Sequence, residues 1–187
     1  MIVLGIDPGY ERCGYAILKA VSKKEHGTRG KGQGSIPHTP YPSILDLGVI
    51  KTSPKEAFSD RLKEVGDDIA LLLKTHQPDI LSIEDLFFVQ NVTNGLRVAE
   101  VRGMITYLAK QQSCLILEPK PIEVKHSFTG NGKADKKAML EMAHHQFDLP
   151  TGRLIDDAID ALAIAYFGLL NAPKLGQKCF FKENSKV

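Results

Sequence analysis

The amino-terminal stretch "MIVLGIDPGYERCGYAIL" constrains the fold more than any other part of the chain. Ile2 to Ile6 is apolar on both faces, the mark of a strand buried on both sides at the centre of an α/β sheet. Pro8 and Gly9 stop that strand and turn the chain, and Cys13 to Leu18 returns as a second apolar strand. Asp7 therefore falls at the carboxyl end of a central strand, where an unpaired charge is costly to bury. Two explanations are open for it. The carboxylate caps its own loop in an Asx-type turn, or it binds a cation, and one residue does not choose between them.

The rest of the chain supplies the frame. With 187 residues, 43% of them hydrophobic, it can bury one full core, so one domain is expected over residues 1–171. A Gly-, Pro-, Lys- and His-rich surface insert without hydrophobic period occupies about 22–43, and a peripheral tail occupies 172–187. "ILDLGVIKT" alternates as a third strand. From Lys55 to His76, apolar residues at Leu62, Val65, Ile69, Leu72 and Leu73 follow helical spacing. "ILSIEDLFF" reads as a strand whose end carries Glu84, and a helix follows from near Asn91 or Thr93. "CLILEP" is a short buried strand, "PKPIEVKHSFTGNG" a Pro-broken stretch, and two helices close the fold, about Lys133 to Phe147 and about Asp156 to Asn171. The order β-β-β-α-β-α-β-α-α predicts an α/β, ribonuclease-H-like fold. Its five-stranded mixed sheet is flanked by helices, a meander of three strands preceding parallel neighbours joined by helical crossovers.

Asp7 gains company in this frame. Glu84 follows "DILSI" as Asp7 follows "IVLG", so two carboxylates end two apolar strands, and ligand sites in α/β sheets gather at such ends. In "IDDAIDALAIAYF", Asp157 and Asp160 stand three apart on one helix face. Ile155, Ile159, Leu162 and Tyr166 mark the buried stripe and place these acids beside the core. An N-cap and a first-turn anion favoured by the helix dipole would explain Asp156 and Asp157, but this explains less of Asp160. Carboxylates on three elements, with no cysteine or histidine cluster nearby, suit a hard cation such as Mg²⁺. Two such ions can activate water and stabilise a leaving oxygen, which suggests a metal-dependent nuclease or phosphoryl-transfer enzyme.

The net charge is only +2, so a nucleic-acid partner has to be argued from clusters rather than from the total. Cys13, Cys114 and Cys179 are scattered without CxxC spacing, which fits a reducing cytoplasm better than a disulfide framework or a zinc site. No apolar stretch approaches the roughly 20 residues of a membrane helix, and the short N-terminal apolar run lacks a basic leader, so a soluble, cytoplasmic protein with no membrane partner is expected.

"GIDPG…GYAIL", "IEDLFF", "EVRG", "TGNGKADK" and "DDAIDALAIA" occur in the order found in the RuvC family of Holliday-junction resolvases, which the chain resembles from roughly Ile2 to Tyr166. The resemblance implies a ribonuclease-H-like homodimer that uses Mg²⁺, two ions per site with Mn²⁺ able to substitute, to nick opposed strands of a four-way DNA junction symmetrically. It places the acidic tetrad on Asp7, Glu84, Asp157 and Asp160, choosing Asp157 over Asp156 by motif register. Phe87 matches an aromatic that stacks on or wedges against bases, with a core position beside Leu86 and Phe88 as its alternative. Lys125 and Lys136 match basic residues at the scissile region. Lys133 and Lys137 extend that run as phosphate contacts, or form an ordinary solvated face. Arg102 falls in the family's helix motif and is a candidate DNA contact, its detailed role open. A branch-migration motor is a further partner that the resemblance suggests.

Two features depart from the family pattern. The insert is longer than expected, and Glu100 puts an acid where the family more often has an amide. His126, His144 and His145 read as surface residues. Three other readings remain: a nuclease of this fold acting on another nucleic-acid structure, a junction-binding protein without nuclease activity, and an actin-like ATPase. The last needs a second lobe and a second phosphate loop that this length does not show.

Overall fold

In a computed structural model, which describes residues 1–21, 41–85, 92–149 and 155–183, the first strand is sandwiched between two helical layers. It is β1 (Ile2–Asp7), and it lies in the middle of a five-stranded sheet of order β3-β2-β1-β4-β5. β2 (Arg12–Val21) runs antiparallel to β1 and to the edge strand β3 (Tyr41–Lys51). β4 (Ile80–Ile83) and β5 (Leu115–Leu117) continue the sheet in parallel on the other side. The mixed sheet expected from the sequence is present, meander first and parallel pairs after.

Successive strand residues point to opposite faces, and here the faces meet different helices. Leu4 and Ile6 of β1, Ile17 of β2, and Leu81 and Ile83 of β4 pack with α1 (Phe58–His76) and α2 (Val92–Gln111). Val65, Ile69 and Leu73 of α1 and Val101, Ile105 and Ala109 of α2 complete that core at helical spacing. The opposite face carries α3 (Pro121–Thr129), α4 (Lys136–Gln146) and α5 (Asp156–Glu183). There Ala16 and Leu18 of β2 meet Val124, Phe128, Met139, Ala161, Leu162 and Ala165.

Helix α5 lies unusually close to the sheet because the residues beneath it are small. A methyl group on Gly5 would stand 2.4 Å from the Ala161 carbonyl oxygen and 2.4 Å from the Ala165 amide nitrogen. On Gly14 it would stand 2.0 Å from the carbonyl oxygen of Asp157. Backbone on both sides leaves nowhere for an added methyl to go.

Several boundaries differ from the sequence reading, and prolines account for two of the differences. The Pro-broken stretch holds a fifth helix, α3, because Pro121 sits in its first turn, where a missing amide hydrogen costs nothing. The Glu123 carboxylate accepts from the Lys120 amide at 2.9 Å at the start of this helix, and Gly130 closes it at φ 78°. Strand β3 begins at Tyr41, ahead of Ile44, since Pro42 lies on an edge strand where no ladder donor is needed. Helix α4 starts at Lys136 and not Lys133, because Asp135 is its N-cap and accepts a hydrogen bond from the Ala138 amide. Helix α1 starts at Phe58 in place of Lys55, and α5 runs on past Asn171 to Glu183. The insert lies almost wholly outside the described residues. No helix among those described is long and apolar enough to cross a membrane.

If α5 rests on these glycines, Gly5→Ala forces helix and sheet apart. The expected loss is about 3 kcal/mol of unfolding free energy, read as a lower urea midpoint at unchanged slope.

Candidate active site

Strand parity brings the first two acids together. Val3, Gly5 and Asp7 share one face of β1, and it is the face on which Gly5 meets α5. On β4, Ser82 shares that face, beneath Gly168 of α5, and two residues further on comes Glu84. The parallel register pairs Gly5 with Ser82 and Ile6 with Ile83, and the Glu84 amide donates to the Ile6 carbonyl at 3.3 Å. Asp7 and Glu84 thus end neighbouring strands on the same side.

Helix α5 delivers the other two. Asp157 stands over Gly14 and Asp160 lies one turn further on, so both face the strand ends. Asp7, Glu84 and Asp160 line one cavity of about 260 Å³, together with Lys125 of α3 and Lys136 and Met139 of α4. Asp157 is at its margin, 3.6 Å from the Arg12 guanidinium, and its buried Oδ2 accepts no hydrogen bond. Among the described residues, no three Asp, Glu, His or Cys side chains close around a point that would hold an ion. The donor set still fits a hard divalent cation. It consists of carboxylate oxygens alone, includes an orphaned buried oxygen, and is collected where the charges oppose one another.

The electrostatics report the same opposition. Burial, then Glu84, Asp160 and Asp157, push the Asp7 carboxyl up to about 7 against the pull of Lys136. Burial and then Asp160 push Glu84 up to about 7, against Lys125. Asp160 is raised chiefly by burial, opposed by Lys136 and Lys125. These lysines sit on the wall of the cavity as the counter-charges of the acids.

Lys136 has a further partner outside the cavity, and the other residues singled out in the sequence are dispersed. Lys136 donates to Asp156 at 2.9 Å and Lys137 pairs with Glu141 at 3.8 Å, while Lys133 is exposed on the turn before α4. Arg102 of α2 turns to the protein: it donates to the Glu84 carbonyl at 3.1 Å, meets the Glu118 carboxylate, and lies 3.8 Å from Asp85. Phe87 falls outside the described residues. Sequence reasoning missed Arg12 as the counter-ion of Asp157. The available signal was its place at the start of the strand returning from Asp7, two residues before Gly14.

The RuvC family model, described as crossover junction endodeoxyribonuclease RuvC, matches residues 3–167. The chain belongs to the RuvC family. A RuvC from Synechococcus sp. (strain CC9311) is 34% identical over 168 residues, 90% of this chain and 98% of that one. A second, from Gloeobacter violaceus, is 38% identical over 168 residues, 90% and 87% of the two chains. Both bear the name crossover junction endodeoxyribonuclease RuvC. The structure of Thermus thermophilus RuvC is similar at a TM-score of 0.75 and 25% identity, covering 93% of this chain and 96% of that one. The same protein in complex with Holliday junction substrate shares the fold at a TM-score of 0.76 and 23% identity, over 92% and 94% of the two chains. The family makes this chain a metal-dependent endodeoxyribonuclease that resolves DNA junctions.

The raised carboxyls carry a pH signature. A carboxyl whose folded pKa exceeds its unfolded value lends stability below the unfolded pKa and loses it as pH rises through the folded one. For Asp7 that window runs from about 3.8 to about 7. In EDTA at pH 8, Asp7→Asn should therefore be more stable than the native chain, by on the order of 1–4 kcal/mol. The two should converge near pH 4. Thermal melts at both pH values check this, and a native chain more stable than the variant at pH 8 contradicts it.

Proposed function

We propose that Asp7, Glu84, Asp157 and Asp160 together hold two Mg²⁺ ions and that the chain uses them to nick opposed strands of a four-way junction. The observation that carries this reading is the meeting of Asp7, Glu84 and Asp160 in one cavity walled by Lys125 and Lys136. When bound, the ions supply a nucleophilic water at neutral pH and charge stabilisation for the departing 3′ oxygen; Mn²⁺ can take their place. The chain's own residues do the rest. Asp7 and Glu84, fixed by paired strand ends, and Asp157 and Asp160, fixed by α5, orient the charge. Lys125 and Lys136 offset the negative charge that grows on the phosphate. Lys133 and Lys137 contact flanking phosphates, and Phe87 stacks on bases at the junction centre.

Arg102, its guanidinium taken up by Glu118, Asp85 and the Glu84 carbonyl, holds the Glu84 segment in place. A homodimer presents two equivalent sites to a two-fold junction. Its support here is one stripe of α2, where Leu96 and Tyr107, 56% and 63% exposed, flank exposed Glu100 and Gly103. The catalytic unit is residues 1–171, with the 22–43 insert and the 172–187 tail as accessories. Work in recombination and repair beside a branch-migration motor in the cytoplasm completes the assignment; the buried free thiols of Cys13 and Cys114 suit that compartment.

An immobile four-way junction and a matched linear duplex, each with Mg²⁺ and with EDTA, test the reading. Paired nicks are expected on the junction alone and only with Mg²⁺, and Asp7→Asn should keep binding while losing at least about 100-fold in rate. Tight binding without cutting under any metal would make the chain an architectural binder, and equal cutting of the duplex would discard the substrate. Arg102→Gln should cost about 10- to 100-fold in activity at low Mg²⁺, as loss of a residue supporting a ligand does. Junction affinity should stay unchanged, and high Mg²⁺ should partly restore the rate.

A further inference from the structure

A second cavity, of about 330 Å³, opens at the same end of the sheet as the acids, beside the end of β3. Glu11, Arg12, Lys51, Thr52 and Arg61 line it, three cations against one carboxylate. Arg61, in the first turn of α1, is only 5% exposed. Its Nε donates to Thr52 Oγ1 at 2.8 Å, Nη2 reaches the Tyr10 carbonyl at 3.4 Å, and the guanidinium lies 4.7 Å from the centre of the Tyr10 ring. Nη1 makes no hydrogen bond among the described residues. The carboxylate nearest to Arg61 is that of Glu11, 3.8 Å from Nη2, on a side chain 63% exposed.

A buried guanidinium needs a compensating anion, and an exposed surface carboxylate just beyond hydrogen-bond reach supplies little of it. The site is held rigidly. Arg12 pairs with Lys51 across β2 and β3, the Thr52 amide donates to the Glu11 carbonyl at 3.2 Å, and Thr52 Oγ1 donates to the Tyr10 carbonyl at 2.5 Å. Arg12 also connects it to the acids, since the same guanidinium stands 3.6 Å from Asp157.

We propose that this Arg12–Lys51–Arg61 cavity is a second DNA subsite, which takes a backbone phosphodiester of the strand running on from the catalytic cavity. Thr52 and Arg61 form its floor and Lys51 its exposed rim. Glu11 holds the place of the phosphate until DNA displaces it. The subsite rests on the junction-binding function proposed above and adds to it a fixed anchor on the β2–β3 side, away from the lysines of α3 and α4. A phosphate held there sets where the strand crosses the acids, so the contact fixes register and not base sequence.

Binding of a fluorescent four-way junction, followed by anisotropy in EDTA over a range of KCl concentrations, tests the subsite without cleavage. Lys51→Gln, at an exposed position, should lower the slope of log affinity against log salt by about one and weaken binding at least about threefold. Glu11→Gln should tighten binding, having removed the competing carboxylate. Lys19→Gln, an exposed lysine at the opposite end of β2, should change neither quantity. Native binding with an unchanged slope in Lys51→Gln overturns the subsite alone. A native chain that binds no junction overturns the function and the subsite with it.

Discussion

The close seating of α5 on the sheet is the contact on which the site depends. Gly5 and Gly14 leave no side chain between the helix backbone and strands β1 and β2. Gly168 repeats this further along, where an added methyl would stand 2.8 Å from Val3 and 2.9 Å from Ser82. Side chains in place of these glycines would hold Asp157 and Asp160 further from Asp7 and Glu84. Small residues on the sheet therefore act at the active site without touching it. They convert two acids on a helix and two acids on strand ends into one set.

Gathering those acids costs the fold stability. Three of them are pushed above the ordinary carboxylate range, chiefly by burial, with Glu84 and Asp160 next for Asp7 and Asp160 next for Glu84. The fold limits the cost with cations placed around the rim: Lys125 and Lys136 from one side and Arg12 from the other. None of these is buried with the acids, so under the proposed function each can exchange a carboxylate for a phosphate or yield to a metal ion. A fully satisfied buried network would be more stable and unable to bind either. Arg102 differs, because its partners hold it against the Glu84 segment.

The sheet, its order of elements and the two strand-end acids were legible because burial on both faces of a strand leaves a dense apolar record. The misreadings fall where a residue's local preference is overridden by its place. Pro121 looked like a break and opens a helix; Pro42 looked like loop and lies on an edge where its missing donor is harmless. Lys133 looked helical, while Asp135, the true N-cap, sat unremarked among lysines. Arg102 was legible as a motif residue but not as a neighbour of Glu84, since eighteen positions of chain separate the two.

By itself the sequence determined the alternation of strands and helices and, through its ordered motifs, the family, because each is written in local spacing and residue type. Only the tertiary structure decided that Asp7 and Glu84 share a face through the register of β1 and β4, and that Asp157 turns to Arg12 while Asp160 enters the cavity. Only it brought Arg61 beneath Lys51 and Arg12. The reason is the same in each case: strand register and helix-to-sheet distance are set by contacts between residues remote in the chain, and a spacing pattern carries no measure of them.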